Sequence, residues 1–411
     1  GVTIAAVIYS GALTINTLFE GAMVFGVIPV NIVTASWLMG IVAAVYVATG
    51  GLKACAWADL IQGSALILGG GVILWFALDR LGDTAVADLA TTSTAAAGQL
   101  ADDASGLTKF FALNEDKLHM VLPRTDADIP WTALVVGLWI PNFYYWGLNQ
   151  YITQRTLGSK SLAEGQKGVV FAAGLKLIIP FVIVFPGIIA FNLFAGDMVD
   201  ADGVTQHDTA FGLLIGKLLP AGKGLQCFVL AAILGAVVSS LASMLNSAST
   251  IFTMDLYRKY IGPDAPQKTL VLIGRICVVV FVVIGCLIAP VLGNPRFGGI
   301  FKYIQEFQGF ISPGILAVFV FGMLVKRAPP ACGVVGLLLN PVMYGLLKLL
   351  IPSLAFLDRM ALSFFCVLAV MGIITLIKPL PKPFELPTKT HIELTSSRFA
   401  KGLGVAVVVA T

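Results

Sequence analysis

Charge is scarce in this sequence: Asp, Glu, Lys and Arg together make 12% of its 411 residues, where a soluble chain carries about a quarter. That shortage excludes an ordinary solvated surface. Histidine occurs three times, at His119, His207 and His391, in polar loops or tails with no metal-ligand spacing. Neither a metal site nor a Ser-His-Asp arrangement can be assembled from them. The six cysteines, Cys55, Cys227, Cys277, Cys286, Cys332 and Cys366, are scattered in or beside apolar segments without a C-x-x-C pair. They read as small buried hydrophobes. A dispersed net charge of +4 excludes a nucleic-acid partner. With no nucleophile, base or metal constellation, the chain is expected to be no enzyme and to hold no cofactor.

Hydrophobic residues are abundant, at 58% of the chain with a mean hydropathy of +0.92. Apolar runs of about 20 residues, the length that spans a bilayer, follow one another to the end. The fold class is therefore all-α, a polytopic membrane protein whose first partner is the lipid bilayer, with a multi-pass location in the cell (inner) membrane. Runs long enough to span fall at 2–19, 27–49, 56–78, 131–154, 168–194, 210–252, 269–292, 303–325, 331–351 and 359–378. These make ten helices, the sixth long enough to contain a break or a surface helix. The chain starts inside an apolar run and ends a few residues into another, "GLGVAVVVAT", so both ends are expected to be cut. Residues 379–400 read as a cytoplasmic linker and 401–411 as the start of a truncated eleventh helix.

Lys and Arg orient the set, because cytoplasmic loops are richer in them. Lys53, Arg155, Lys160, Lys167, Arg258, Lys259, Lys268, Lys326, Arg327 and the basic residues after 378 all fall on one side if each run spans once. The opposite side receives the polar loop 79–129 and the Asp-rich "GDMVDADGVTQHD". The 79–129 loop is poor in large apolar residues, and a short surface helix or two with a flexible remainder is expected there.

Function is then sought in polar groups that lipid makes expensive. Lys176 lies in "AAGLKLIIPF", nine residues past Lys167, roughly 13 Å along a helix. A mid-membrane Lys costs on the order of 2.5–3.5 kcal/mol on insertion scales. Two readings stand, a structural pair with a buried carboxylate or a lining of a wet cavity. Segment four crowds Asn142, Tyr144, Tyr145, Trp146, Asn149 and Gln150 into one span, an aromatic girdle or a pocket whose rings and amides suit a polyol. In "GAVVSSLASMLNSAST" small residues suit close helix packing, yet the carbonyl of Ala236 with the hydroxyls of Ser239 and Ser240 also offers hard oxygen ligands to a monovalent cation. Gln305 precedes a Ser-Pro-Gly break at 312–314, where Pro313 kinks the helix and frees carbonyls. Asp59, in "GGLKACAWADLIQG", either favours a helix start or holds an ion near its exit.

In order along the chain, "VATGGLKACAWADLIQ", "NFYYWGLNQYITQRTLGSKS", "AAGLKLIIPF", "VVSSLASMLNSASTIFTMDLY" and "YIQEFQGFISPGILAVF" resemble the sodium/solute symporter family, within it the sodium/sugar branch and bacterial sodium/galactose symport in particular. The resemblance implies a five-plus-five inverted-repeat transporter core with extra C-terminal helices. On it, residues 1–378 form the core from the third core helix onward, so the N-terminal helices that complete both sites are expected to be missing. It implies sodium-coupled uptake of a galactose- or glucose-like monosaccharide by alternating access, with sodium as a co-transported ion. Asn142, Lys176 and Gln305 match sugar-binding positions, and Tyr145 matches the aromatic that closes the pocket. Ala236, Ser239 and Ser240 match sodium ligands, and Asp59 a residue of sodium coupling or release. The alternatives are symport of another small solute (an inositol, organic acid or amino acid) or a non-transporting sensor on the same fold.

Overall fold

The computed structural model describes residues 2–19, 21–24, 26–93, 97–199, 203–220, 222, 224–293, 300–384 and 395–410. Apart from a two-residue hairpin pairing Met23–Val24 with Ile28–Pro29, its regular structure is helical. Among the described residues eight helices are long and apolar enough to cross a membrane, or nine if the bent pair Ile300–Gly309 and Ser312–Leu324 is one span. The run at 131–154 is not one regular helix. It is divided into a π-helical turn at Ala133–Gly137, a helix at Trp139–Phe143, a second π-helical turn at Tyr144–Leu148 and a helix at Gln150–Leu157. Pro141 withholds a backbone donor there, and Asn149 leaves the helical region altogether at ψ 119°.

The chain falls into two compact units, one of residues 1–118, 169–300 and 401–411, the other of 119–168 and 301–400. In the first, α1 (Val2–Phe19), α2 (Ile32–Asp83) and the helix Leu225–Ile251 pack together. Asn31 caps α2: its side chain accepts from Thr34 N at 2.9 Å while the Thr34 hydroxyl accepts from Asn31 N at 3.0 Å. Helical residues continue for 52 positions, roughly 78 Å if straight, far more than the ~30 Å of bilayer hydrocarbon.

Packing shows that α2 instead folds back on itself. Ala35 and Met39 belong to a buried cluster lying on Leu234, Val237 and Val238, whereas Ile73 and Ala77 cluster with Val229 and Ile233. Ala35 and Ile73 would be roughly 57 Å apart on a straight helix, yet both reach the same turn or two of Leu225–Ile251. The reversal lies between two spanning limbs, Ile32–Gly50 and Cys55–Asp83, as the separate runs 27–49 and 56–78 anticipate; the side chains of residues 51–54, Lys53 among them, lie outside the described residues. Close approach at the first limb depends on Gly40, where a Cβ would overlap Cys286.

The loop after α2 is more ordered than its composition suggests. It contains the helix α3 (Gly106–Leu113) and 3-10 turns at Val86–Asp88 and Glu115–Lys117. Its apolar residues Leu89, Phe110 and Leu113 are buried in a cluster with Ile73, Leu81, Ile189 and Leu214. Phe110 stacks on Phe185 with centroids 4.4 Å apart. The segment thus needs no core of its own, because it shares the one built by the spanning helices. Asn114 and Asn192 exchange amide hydrogen bonds at 2.9 and 3.1 Å, and Asn192 also donates to Ala90 O.

Lys109, fully buried, donates to the carbonyls of Gly82, Thr84 and Asp102 at 2.7, 2.8 and 2.6 Å. Its ammonium meets the negative end of α2. Lys109→Met removes all three bonds while keeping the stem. We expect a loss on the order of 2–3 kcal/mol in the unfolding of the detergent-solubilised chain; unfolding unchanged from wild type would show that these carbonyls find other donors.

In the second unit, α11 (Ile300–Gly309) meets α12 (Ser312–Leu324) at a 43° bend. Pro313 cannot donate to the carbonyl of Gly309, four residues earlier. That carbonyl and its neighbour on Phe310 accept instead from Asn340 Nδ2, at 3.3 and 2.7 Å, and the Ser312 hydroxyl donates to Gln308 O at 2.9 Å. Asn340 belongs to α13 (Ala331–Leu350), which packs with α12 and α14 (Phe356–Ile377). Residues 385–394 of the linker, with Lys389 and His391, lie outside the described residues; the helix Arg398–Ala410 follows.

Candidate functional site

In the first unit the second limb of α2 lies against the helix Leu225–Ile251 so that Asp59 meets Ser239, whose hydroxyl donates to Asp59 Oδ1. One turn further along the limb, Gln62 fills the space beside Gly235. Ser239 is 5% exposed, Ala236 is half-buried and Ser240 is exposed. Positions 236, 239 and 240 share one helix face by their i, i+3, i+4 spacing. The helix runs regularly through them, so the Ala236 carbonyl stays in the helical ladder and would be shared with an ion rather than released to it. The Ser239 carbonyl already accepts a second bond, from the Ser243 hydroxyl at 3.0 Å. An acidic oxygen, hydroxyls and helix carbonyls in one layer are the kind of donors a small hard cation takes.

Lys176 ends the helix Leu162–Lys176 and is exposed within its unit. The helix breaks there for a readable reason: Pro180, four residues on, has no N–H for the Lys176 carbonyl. Leu177 N and Ile178 N bond three residues back, at 3.2 and 3.0 Å, before a π-helical turn at Pro180–Val184. The anomalous cation therefore sits at an interruption of backbone bonding, not on a smooth helix.

The second unit carries Asn142, Tyr145 and Gln305. Asn142 is exposed, and its amide donates back to Leu138 O at 2.8 Å. Tyr145 receives the hydroxyl of the buried Tyr151, with rings edge to face at 5.7 Å, and packs on Trp146 at 5.1 Å. Gln305 is half-buried on α11, and no hydrogen bond joins it to Asn142 among the described residues.

Next to Gln305 stands a group that sequence reasoning passed over. Glu306 accepts from Arg359 at 2.8 Å, from the Tyr344 hydroxyl at 3.0 Å and from Lys348 at 3.1 Å. The Glu306 and Arg359 side chains are 16% and 7% exposed, and the guanidinium also lies 5.5 Å above the Tyr344 ring. The available signal was an acid in one apolar run and an Arg in another, but 53 residues separate them.

Spanning helices broken by Pro and π-helical turns beside buried polar groups are the build that transporters use. Comparison with known proteins gives the family. The model of the sodium:solute symporter family matches residues 2–339, and the chain belongs to that family. It is 36% identical, over its whole length and 73% of the relative's, to the sodium/glucose cotransporter of Vibrio parahaemolyticus. It is 30% identical to the uncharacterized symporter YidK of Escherichia coli K12, over 98% of this chain and 66% of that one. Sodium/myo-inositol cotransporter 2 of Bos taurus is 32% identical over 75% of this chain, which spans 46% of it. The fold resembles a solved Na+-coupled sialic acid symporter in a substrate-bound outward-open state, with TM-score 0.70, 19% identity, and coverage of 94% of this chain and 75% of that one. The expected transporter core, and sodium as a transported ion rather than a resident cofactor, agree with these relatives.

Proposed function

We propose that the protein couples sodium entry to the uptake of a galactose- or glucose-like sugar by alternating access. The observation that carries this reading is the 36% identity to a sodium/glucose cotransporter along the entire chain. In this reading Asn142, Lys176 and Gln305 hydrogen-bond the sugar hydroxyls, and Tyr145 covers the sugar from the cytoplasmic side. Ala236, Ser239 and Ser240 hold sodium, and Asp59 lies on its route. Coupling requires only that sodium favour the state competent for sugar, and each ligand then tightens the other by the same factor.

A second reading, myo-inositol as substrate, is favoured by the 32% identical relative. Both are neutral polyols, so the same donors serve either.

Uptake of labelled galactose into proteoliposomes of the full chain, driven by a sodium gradient, tests the proposal, with glucose, myo-inositol and sialic acid as competitors. Galactose and glucose should compete best. Superior competition by myo-inositol would move the assignment to the second reading, and uptake indifferent to sodium would remove both. Lys176→Ala should raise the sugar concentration for half-maximal uptake about tenfold, the worth of a charge-assisted hydrogen bond. Unchanged sugar dependence in that variant would take Lys176 out of the site.

A further inference from the structure

At the end of the first limb of α2, three helical segments line an open cavity of about 440 Å³ that no part of the proposed transport site uses. Thr49 comes from that limb, Asn246, Ser249, Thr250 and Thr253 from the helix Leu225–Ile251 and the π-helical stretch Phe252–Ile261 that continues it, and Arg275 from α10 (Gln267–Ile288). The nearby connection carries Arg258, Lys259 and Lys268, which marks this end as cytoplasmic.

Three features of the cavity require explanation. First, Arg275 is exposed eight residues into a spanning helix, roughly 12 Å from its start, and is flanked on the same face by exposed Val271, Leu272 and Val279. A guanidinium in that position is open on the outer face of a span. Second, no carboxylate pairs with Arg275 among the described residues, although Asp255 and Asp264 lie on the preceding segment, and none of the lining residues is acidic. Third, Thr253 in the same wall is 5% exposed and its hydroxyl has no hydrogen-bond partner. Buried hydroxyls are nearly always bonded.

We propose that this cavity is a binding site for the headgroup of an anionic phospholipid, with its phosphate on Arg275, its polar remainder among the hydroxyls and the Asn246 amide, and its acyl chains along the exposed apolar face of α10. Charge selects the class: the lining holds one cation and no acid, so it offers nothing to the ammonium of a zwitterionic lipid. Location selects the source, because the cation sits on the outer face of a span within reach of the cytoplasmic headgroup layer. A bound lipid would join the ends of three helices and brace the reversal of α2 without touching the transport residues.

Native mass spectrometry of the purified full chain in detergent, offered equal phosphatidylglycerol and phosphatidylcholine, provides the test. Phosphatidylglycerol should be retained about fivefold over phosphatidylcholine, the worth of one basic contact near the surface, and Arg275→Gln should bring the ratio close to one. Arg275→Lys should keep most of the preference, and so should Lys268→Gln, which removes a charge outside the cavity. Inorganic phosphate alone should not compete. Equal retention of the two lipids by wild type overturns the site without any mutant, and so does a Lys268→Gln effect as large as that of Arg275→Gln, which would indicate a diffuse basic surface. Displacement by phosphate would assign the cavity to a soluble anion instead.

Discussion

Glu306→Gln is expected to destabilise the full chain by about 3–5 kcal/mol, the usual result of removing one partner from a buried ion pair. The carboxylate answers three donors at once, from Arg359, Tyr344 and Lys348. With glutamine, the guanidinium at 7% side-chain exposure keeps its charge and loses its counter-ion. The loss should appear as a lowered unfolding temperature of the detergent-solubilised protein, followed by intrinsic fluorescence. Glu306→Leu combined with Arg359→Leu should recover much of it, since an apolar pair leaves no charge behind. Additive losses in the double variant, or a single variant as stable as wild type, would show that the pair is not energetically coupled. Because Gln305 precedes Glu306 on α11, the same substitution should also weaken sugar dependence if Gln305 contacts substrate.

Asp59→Ala should raise the sodium concentration for half-maximal uptake at least about tenfold, equivalent to about 1.4 kcal/mol. Asp59 joins the sodium layer proposed above by accepting the Ser239 hydroxyl across 180 residues of sequence. Removing the carboxylate strips that layer of its acidic oxygen, whereas Ser239→Ala removes a neutral hydroxyl and should cost less. Sodium titration at saturating sugar distinguishes the two from a loss of sugar affinity. By reciprocity, the sodium lost from Asp59→Ala should also weaken sugar binding at fixed sodium. An unaltered sodium requirement would mean that the Asp59–Ser239 bond only fastens two helices together.

Much of the architecture was readable because the bilayer restricts the choices. Backbone groups in hydrocarbon must bond within their own helix, so apolar run lengths alone mark most spans, and the separate runs 27–49 and 56–78 anticipate the two limbs of α2. Pro313 likewise announces the bend between α11 and α12, though not that Asn340 would supply the missing donor. The interruptions of segment four were not visible in the sequence, because two π-helical turns leave the apolar periodicity almost intact while dividing the helix. The pairs Asp59–Ser239 and Glu306–Arg359 were illegible for a different reason: each joins residues from separate spans, and helix-to-helix register does not appear in a single sequence. The individual residues still stood out, since a charge or an amide in an apolar run is costly wherever it lands.

The ordered loop after α2 also has a consequence for biosynthesis. Phe110 and Leu113 are buried beside Phe185 and Ile189, which leave the ribosome about 75 residues later. At about 5–20 residues per second, α3 would wait roughly 4–15 s with the part of its apolar face that Phe185 and Ile189 cover still open. The Asn114–Asn192 bonds can likewise form only once the later span has been made.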